Sequence, residues 1–222
     1  KDSKVTILFK TCPETPQIMM GFFDMPRTES AEDMLEKFRV RELVEYERFC
    51  RDNALWDSML ACFAQDSRVE ISWYQGSGQG FVEASKKMKA KAPHKLNNTL
   101  VWLNGTHAAS VTMGSIHIRR RMGGTWVDLV SQVRFLYTAR KEQGVWKIVT
   151  MNCIYEQDSL LPVCAVPPAR PPFARPSYRH LAQVLQEDGY SISEVLPGDD
   201  QPPAVQALYA RAAAFLAQGA HA

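Results

Sequence analysis

The sequence predicts an α+β fold in which helices pack against an antiparallel sheet, and three observations support this fold class. Residues 28–63 carry apolar side chains at helical spacing in two successive segments. Residues 68–75 then alternate between apolar and polar side chains like a strand, and a third helix follows from about Phe81. Residues 95–156 form four strand-like runs separated by short glycine-containing turns, so neighbouring runs are antiparallel.

The first helix is predicted to begin in the segment TESAED, because serine and threonine cap helices and acidic residues favour the first turn. Its apolar residues recur at Leu35, Phe38, Leu43, Tyr46 and Phe49. The second helix has apolar residues at i, i+3, i+4 and i+7, namely Trp56, Met59, Leu60 and Phe63. The later segment GSGQG predicts a turn rather than a dinucleotide site, because the third glycine position of that fingerprint holds Phe81.

The four strand-like runs are broken by the segments NGT, RMGG and ARKEQG, all of which predict hairpin turns. The runs are Lys95–Asn104, His107–Met122, Thr125–Ala139 and Val145–Glu156. In the next segment, PVCAVPPARPPFARP, proline is too frequent for a helix or a central strand, so an extended proline-rich strap is predicted. It leads into two short helices near Ser177–Glu187 and Pro203–Gln218.

These patterns divide the chain into three parts. Residues 1–30 form an arm with a short strand at Val5–Phe9, residues 31–160 form the α+β domain, and residues 161–222 form the strap with its two helices. With 222 residues, 45% of them hydrophobic, the chain is large enough to fold around its own core without metal or disulfide support.

Charge and cysteine content exclude several function classes. The formal net charge is only +2 and basic residues are dispersed, which argues against nucleic acid as the partner. The five cysteines are odd in number and lack Cys-x-x-Cys spacing, which indicates a reducing, cytoplasmic location without a zinc site. No apolar run is long enough to span a bilayer, and the first residues lack the pattern of a signal peptide, so no membrane partner is expected.

The order of elements, together with the segments RDNALWDSMLACFAQDSRVEI and GVWKI, resembles the nuclear transport factor 2-like superfamily. Within it, the chain is similar to the SnoaL-like branch, which includes polyketide cyclases and scytalone dehydratase. The resemblance implies a curved antiparallel sheet that wraps around a helix and encloses a conical apolar pocket. It also implies a small, largely apolar oxygenated substrate, acid/base dehydration, isomerisation or cyclisation, and no metal or organic cofactor.

The resemblance implies catalytic roles for two residues in particular. Asp52 stands where the family has a pocket acid, ahead of Trp56 and Asp57, and an apolar pocket would raise the pKa of this carboxyl and make it a usable base. The alternative is that Asp52 only caps the next helix. Asn98 occupies the place of the family's catalytic histidine, where it would orient the substrate without exchanging protons.

Four further residues are candidates for the pocket. His117 is the histidine deepest in a predicted strand. By strict alternation it lies on the opposite face from Ile116 and Ile118, so it faces outward if those isoleucines face the pocket. Ser131 matches a pocket serine of the family. Tyr74 is a possible substrate contact three residues after Ile71, which takes the place of the family's pocket tyrosine. Trp102 is another possible contact, with a core or interface position as the alternative.

The third long strand predicts a homodimer, because one of its faces is polar and aromatic. That face carries Trp126, Asp128, Gln132 and Arg134. A competing interpretation places Asp128 and Arg134 in the pocket, as in limonene epoxide hydrolase-like members. At the level of function, the alternatives to an enzyme are a non-catalytic ligand-binding or assembly module and the small subunit of an oxygenase.

Overall fold

The computed structural model describes residues 24–89, 92–163 and 175–221, with side chains as far as residue 219. The predicted strand at Val5–Phe9 and most of the predicted proline strap lie outside these residues. The helices are α1 Ala31–Asp52, α2 Trp56–Ala61, α3 Gly78–Lys86, α4 Arg179–Glu187 and α5 Pro202–Ala217, followed by a short 3-10 turn at Gln218–His221. The strands are β1 Phe63–Ile71, β2 Tyr74–Ser77, β3 His94–Asn104, β4 His107–Met122, β5 Thr125–Glu142 and β6 Val145–Pro162.

The six strands form one curved sheet in the order β2-β1-β6-β5-β4-β3, so the predicted α+β fold is confirmed. All neighbours are antiparallel except β1 and β6, which run parallel. Two-residue turns close the long hairpins. Gly123 and Gly124 both have positive φ between the paired residues Met122 and Thr125, a conformation that glycine adopts without strain. The predicted hairpins are therefore fixed by local turn chemistry.

The first helix begins as its sequence predicts, since the Ser30 side chain caps it by accepting a hydrogen bond from the Asp33 backbone N–H at 3.0 Å. Its buried side, however, carries Val40, Val44, Glu47 and Arg48. The apolar residues that share helical spacing are largely exposed among the described residues: Leu35 42%, Phe38 53%, Tyr46 47% and Phe49 55%. The helix therefore presents charged groups to the sheet, which a hydrophobic pattern does not predict.

The inner face of the sheet packs on α1, α3 and α4, while its outer face packs on α5. On β5 the two faces alternate, so Phe135 joins the inner core and Leu136 joins the outer cluster with Leu208 and Ala212 of α5. Helix α4 supplies Leu181 and Leu185 to the inner core. No helix in the described part of the chain is long and apolar enough to cross a membrane.

β5 and β6 run beyond their predicted ends, to Glu142 and Pro162, and α3 begins at Gly78, inside the predicted GSGQG turn. At two other places the type of element differs from the prediction. The second helix ends at Ala61, so Phe63 begins β1 instead of ending a helix. The predicted strand at residues 68–75 is a tight hairpin in which Ile71 pairs with Tyr74. Both differences arise because the short apolar segments also satisfy strand pairing, and sheet neighbours decide between the two conformations.

Candidate functional site

A carboxylate and an imidazole are paired between the end of α1 and the start of β3. Asp52 Oδ1 lies 2.8 Å from His94 Nδ1, and Asp52 Oδ2 accepts a hydrogen bond from the His94 backbone N–H at 2.6 Å. The two residues are 42 positions apart in the sequence. The side chains are 15% and 5% exposed, so the pair is largely screened from water. The two bonds to one carboxylate fix both the position of the histidine and the orientation of its ring.

The alternative capping role of Asp52 is not observed. Asp52 is the last residue of α1, and Asn53 follows it as the C-cap. The N-cap of α2 is Leu55, which makes no side-chain capping bond. The backbone N–H groups of Ala54 and Leu55 donate to carbonyls of α1 and not to the Asp52 carboxylate. Asp52 is therefore free to hold His94.

The two groups of the pair have opposite charge preferences. Burial, reinforced by the nearby cations of Arg48 and Arg51, lowers the pKa of His94 to about 4 despite its bond to Asp52. Burial would raise the pKa of the Asp52 carboxyl, but its hydrogen bonds from His94 outweigh this and leave the pKa below the ordinary value. At neutral pH the pair thus consists of a carboxylate and a neutral imidazole. Since Asp52 is acceptor-only, Nδ1 carries the proton and Nε2 is left as a base.

His94 forms part of the wall of an inner cavity between the sheet and the helices. The wall is mostly apolar, with Phe81 from α3 and Phe135 from β5, while α1 contributes two arginines, Arg48 and Arg51. Cys153 also lines it, and burial raises the pKa of this thiol to about 12, so it is not a thiolate nucleophile at neutral pH. The cavity therefore combines a neutral base, cationic donors and apolar walls.

The cavity is small because α4 closes it. Its free volume is about 30 Å³, close to the share of one water molecule in the liquid. Leu181 and Leu185 of α4 line the wall and belong to the inner core. The N-terminus of α4 is held by Asp158 Oδ2, which accepts from the backbone N–H groups of His180 at 2.7 Å and Leu181 at 2.9 Å. Leu181 and Leu185 thus restrict the room that a ligand would have in the cavity.

Asn98 does not share this cavity, so its predicted place beside Asp52 is wrong. The pairing of β3 with β4 shifts register between Leu96 and Thr99, and Asn98 lies exposed at that irregularity. The bulge changes which residues of β3 face inward, an effect that strict alternation cannot predict. His94, four residues earlier, is the residue of β3 that pairs with Asp52.

His117 also lies outside the cavity, as strict alternation indicates. Its neighbours Ile116 and Ile118 line the cavity, whereas His117 faces the other side of β4. There its Nε2 lies 2.7 Å from the Ser115 hydroxyl. No bulge interrupts the pairing of β4 with β5, so nothing reverses the alternation at this point.

The three predicted substrate contacts do not line the cavity either. Ser131 is on the inner face and completely buried, but it is not among the residues that line the cavity. The Tyr74 ring packs against Phe81 at 5.6 Å, and its hydroxyl donates to the Ser77 carbonyl. Trp102 packs with the outer cluster and donates from Nε1 to the Asp24 carbonyl at 3.0 Å. The position of Trp102 matches its core or interface alternative.

The competing pair of Asp128 and Arg134 is absent from the cavity. Asp128 is paired with Arg119 at 2.5 Å and 2.6 Å on the outer side. Arg134 instead lies 2.9 Å from Glu156 and also bonds Asp199. The two residues therefore serve separate ion pairs, and the competing interpretation is wrong.

The sequence did contain a signal for His94. This histidine directly follows Pro93 and opens β3, but the resemblance placed the family's catalytic histidine at Asn98. It lies inside a lysine-rich segment, KKMKAKAPHK, whose overall character is that of a solvated basic stretch. Within the described ranges, no group of three or more potential metal ligands from His, Cys, Asp and Glu converges.

Comparison with known proteins identifies the family and the fold of the chain. Residues 33–152, more than half of the chain, match the SnoaL-like domain. Pea pathogenicity protein 2 from Fusarium vanettenii is 28% identical over 135 residues, and the match covers 58% of each protein, so the chain spans only that share of this relative. A PEP2-like protein of the same fungus is 28% identical over 166 residues, covering 67% of the chain and 69% of the relative.

Among solved structures, a candidate scytalone dehydratase from Novosphingobium aromaticivorans aligns with a TM-score of 0.50 at 14% identity. The alignment covers 64% of this chain and 97% of that one, which shows a shared fold. The match to the family model extends from α1 into β6 and so includes both Asp52 and His94. The chain therefore belongs to the SnoaL-like family.

Proposed function

We propose that this protein is a SnoaL-like enzyme that removes a proton from a small, largely apolar oxygenated metabolite, leading to dehydration, isomerisation or cyclisation. The observation that carries the proposal is the pairing of Asp52 with His94 at the wall of the apolar cavity. The candidate base is now His94 rather than Asp52. A neutral imidazole whose other nitrogen is held by a carboxylate is a suitable general base, because its free Nε2 lone pair is oriented and available at neutral pH.

The role of Asp52 in this proposal is to position the base. Its carboxylate favours the tautomer with the proton on Nδ1 and stabilises the imidazolium that forms when Nε2 takes up a proton. The proton can then return from Nε2 to a leaving hydroxyl, which departs as water, or to another carbon, which gives an isomer. Neither outcome requires a redox partner, since the electrons of the broken C–H bond remain in the product.

Proton removal can be tested before the natural substrate is known. The protein is incubated in D₂O with a panel of small cyclic ketones, β-hydroxy ketones and allylic alcohols, and exchange or loss of water is followed by mass spectrometry. We expect catalysed exchange or dehydration for at least one class and its loss in His94→Gln. Asp57→Asn is a control, because Asp57 is exposed and outside the site.

A non-catalytic binding module is the second candidate, and the free volume of about 30 Å³ is the observation that favours it. A cavity that stays closed would bind at most a very small molecule. This function predicts that no compound of the panel exchanges or dehydrates, and that His94→Gln leaves ligand binding unchanged. Exchange that depends on His94 contradicts it.

A further inference from the structure

The cavity contains a cation that the proton transfer from substrate to His94 does not use. Arg48 is 3% exposed and lines the same cavity as His94. Its guanidinium donates from Nε to Glu47 Oε2 at 2.6 Å and from Nη2 to Glu47 Oε1 at 2.5 Å. The rings of Phe81 and Phe135 lie 5.6 Å and 5.7 Å from its Cζ. These contacts hold the guanidinium in one orientation.

One nitrogen of this guanidinium is not used by the fold. Nε and Nη2 both donate to Glu47, and Nη2 also lies 3.6 Å from the Met151 sulfur. Across the residues that the structure describes, Nη1 has no acceptor. The two N–H groups of Nη1 are therefore available to a ligand.

Nearby charges explain why such a ligand would be an oxygen that gains negative charge. Glu47 is completely buried and balances Arg48, and it also accepts a hydrogen bond from the Tyr137 hydroxyl at 3.3 Å. Arg51 lines the cavity as a second cation and is bonded to the Ala92 carbonyl at 3.3 Å. Asp52, the nearest acid on the other side, is bonded to His94. Two cations therefore line the cavity: Arg48, whose other two nitrogens are bonded to Glu47, and Arg51, whose Nη1 lies 3.5 Å from Asp52 Oδ1.

From this arrangement we infer that Arg48 binds the carbonyl oxygen of the substrate and stabilises the enolate formed when His94 removes a proton from the adjacent carbon. The inference rests on the proposed function and narrows the substrate to a carbonyl compound with an α C–H. His94 Nε2 takes the proton, the C–H electron pair becomes the C=C bond of the enolate, and the carbonyl π pair moves onto the oxygen beside Nη1. Donors fixed before the charge develops are the arrangement that favours such a step.

The test uses 4-nitrophenol, whose phenolate resembles an enolate and whose absorbance reports its ionisation. We expect the wild-type protein to bind it as the anion and to lower its apparent pKa by at least about one unit, which corresponds to about 1.4 kcal/mol. The variant Glu47→Gln/Arg48→Met removes the whole buried pair, so that no unpaired buried charge hinders folding. It should bind nitrophenolate at least about tenfold more weakly. Glu47→Gln alone keeps Arg48 and should still bind the anion.

Arg121→Met is the matched control, because Arg121 is exposed near the end of β4. Absence of anion binding by the wild-type protein, or equal binding by the double variant, would overturn the role of Arg48. The two proposals fail separately. If α-proton exchange depends on His94 but is undiminished in the double variant, the proposed proton-removing function is supported and the inference about Arg48 is wrong. If nitrophenolate binding depends on Arg48 but no ketone exchanges, the proton-removing function is wrong and Arg48 remains an anion-binding residue.

Discussion

The Asp52 carboxylate holds His94 at two points, accepting a hydrogen bond from its backbone N–H at 2.6 Å and contacting Nδ1 at 2.8 Å. The first bond fixes where β3 begins and the second fixes how the imidazole is turned. A single carboxylate at the end of α1 thus joins a helix terminus to a strand terminus and prepares a base. The predictions below follow from this pair and from the groups that enclose it.

Replacing Asp52 by asparagine should impair catalysis more than folding. Loss of the carboxylate removes the group that fixes the tautomer and stabilises the imidazolium, so we expect proton exchange to fall by about 10²–10⁴-fold. Because the carboxylate accepts two bonds from His94, stability should also fall, by about 1–3 kcal/mol. Exchange in D₂O and urea denaturation measure the two effects. Exchange that matches the Asp57→Asn control would show that Asp52 is only structural.

The low pKa of His94 predicts a specific pH dependence. An unfolded histidine titrates near 6.5, whereas the folded group titrates at about 4. The unfolded state therefore binds more protons between these values, and stability should decrease as pH falls from about 6.5 to 4, by up to roughly 3 kcal/mol. The base should stay active down to about pH 4. An NMR titration of the His94 ring checks this, and a midpoint near 6.5 would contradict it.

The buried pair of Glu47 and Arg48 predicts strongly non-additive stability effects. Removing only one partner, as in Arg48→Met, leaves the other charge buried and should cost about 3–5 kcal/mol. Glu47→Gln/Arg48→Met should be less destabilised than Arg48→Met, since no charge is left uncompensated. A double-mutant cycle by urea denaturation measures the coupling. Additive effects of the two single changes would mean that the residues do not stabilise each other.

The closure of the cavity by α4 predicts a trade-off between stability and access. Leu185→Ala enlarges the cavity and should cost about 2–5 kcal/mol of stability. It should also raise the association rate of small ketones or phenols, because less of the wall must move. Val195→Ala is the control, since Val195 is 79% exposed. Stopped-flow binding and thermal melting provide the readouts, and unchanged association would show that entry does not pass Leu185.

The homodimer through the outer face of β5 remains a prediction, but only part of that face is available to a partner. Arg134 lies near the Tyr209 hydroxyl of α5 and is paired with Glu156, whereas Trp126 is 50% exposed. We expect Trp126→Glu to convert a dimer into a monomer at tens of micromolar by sedimentation, at about the concentration where weak interfaces dissociate. Phe49→Glu, another exposed aromatic made acidic, is the control. Dissociation by Phe49→Glu instead would move the interface to α1.

The sequence by itself determined the elements of the fold, because local chemistry defines them. The Ser30 cap starts α1, two-residue turns that contain glycine, such as Gly123–Gly124, close the long hairpins, and alternation separates Ile116 from His117. These signals act over a few residues, so they can be read without knowing the tertiary contacts. Asp52 was accessible in the same way, through its place before Trp56 and Asp57.

Only the tertiary structure decided which residues meet at the site. The bulge between Leu96 and Thr99 shifts the register of β3 and leaves Asn98 exposed. The side of α1 that packs on the sheet carries Glu47 and Arg48, which are therefore buried in the core. Neither follows from hydrophobic spacing, because a bulge changes the alternation and a buried ion pair violates the apolar pattern that marks a core. The partnership of Asp52 with His94 spans 42 positions and depends on how a helix end meets a strand start, which is set by packing and not by any local preference.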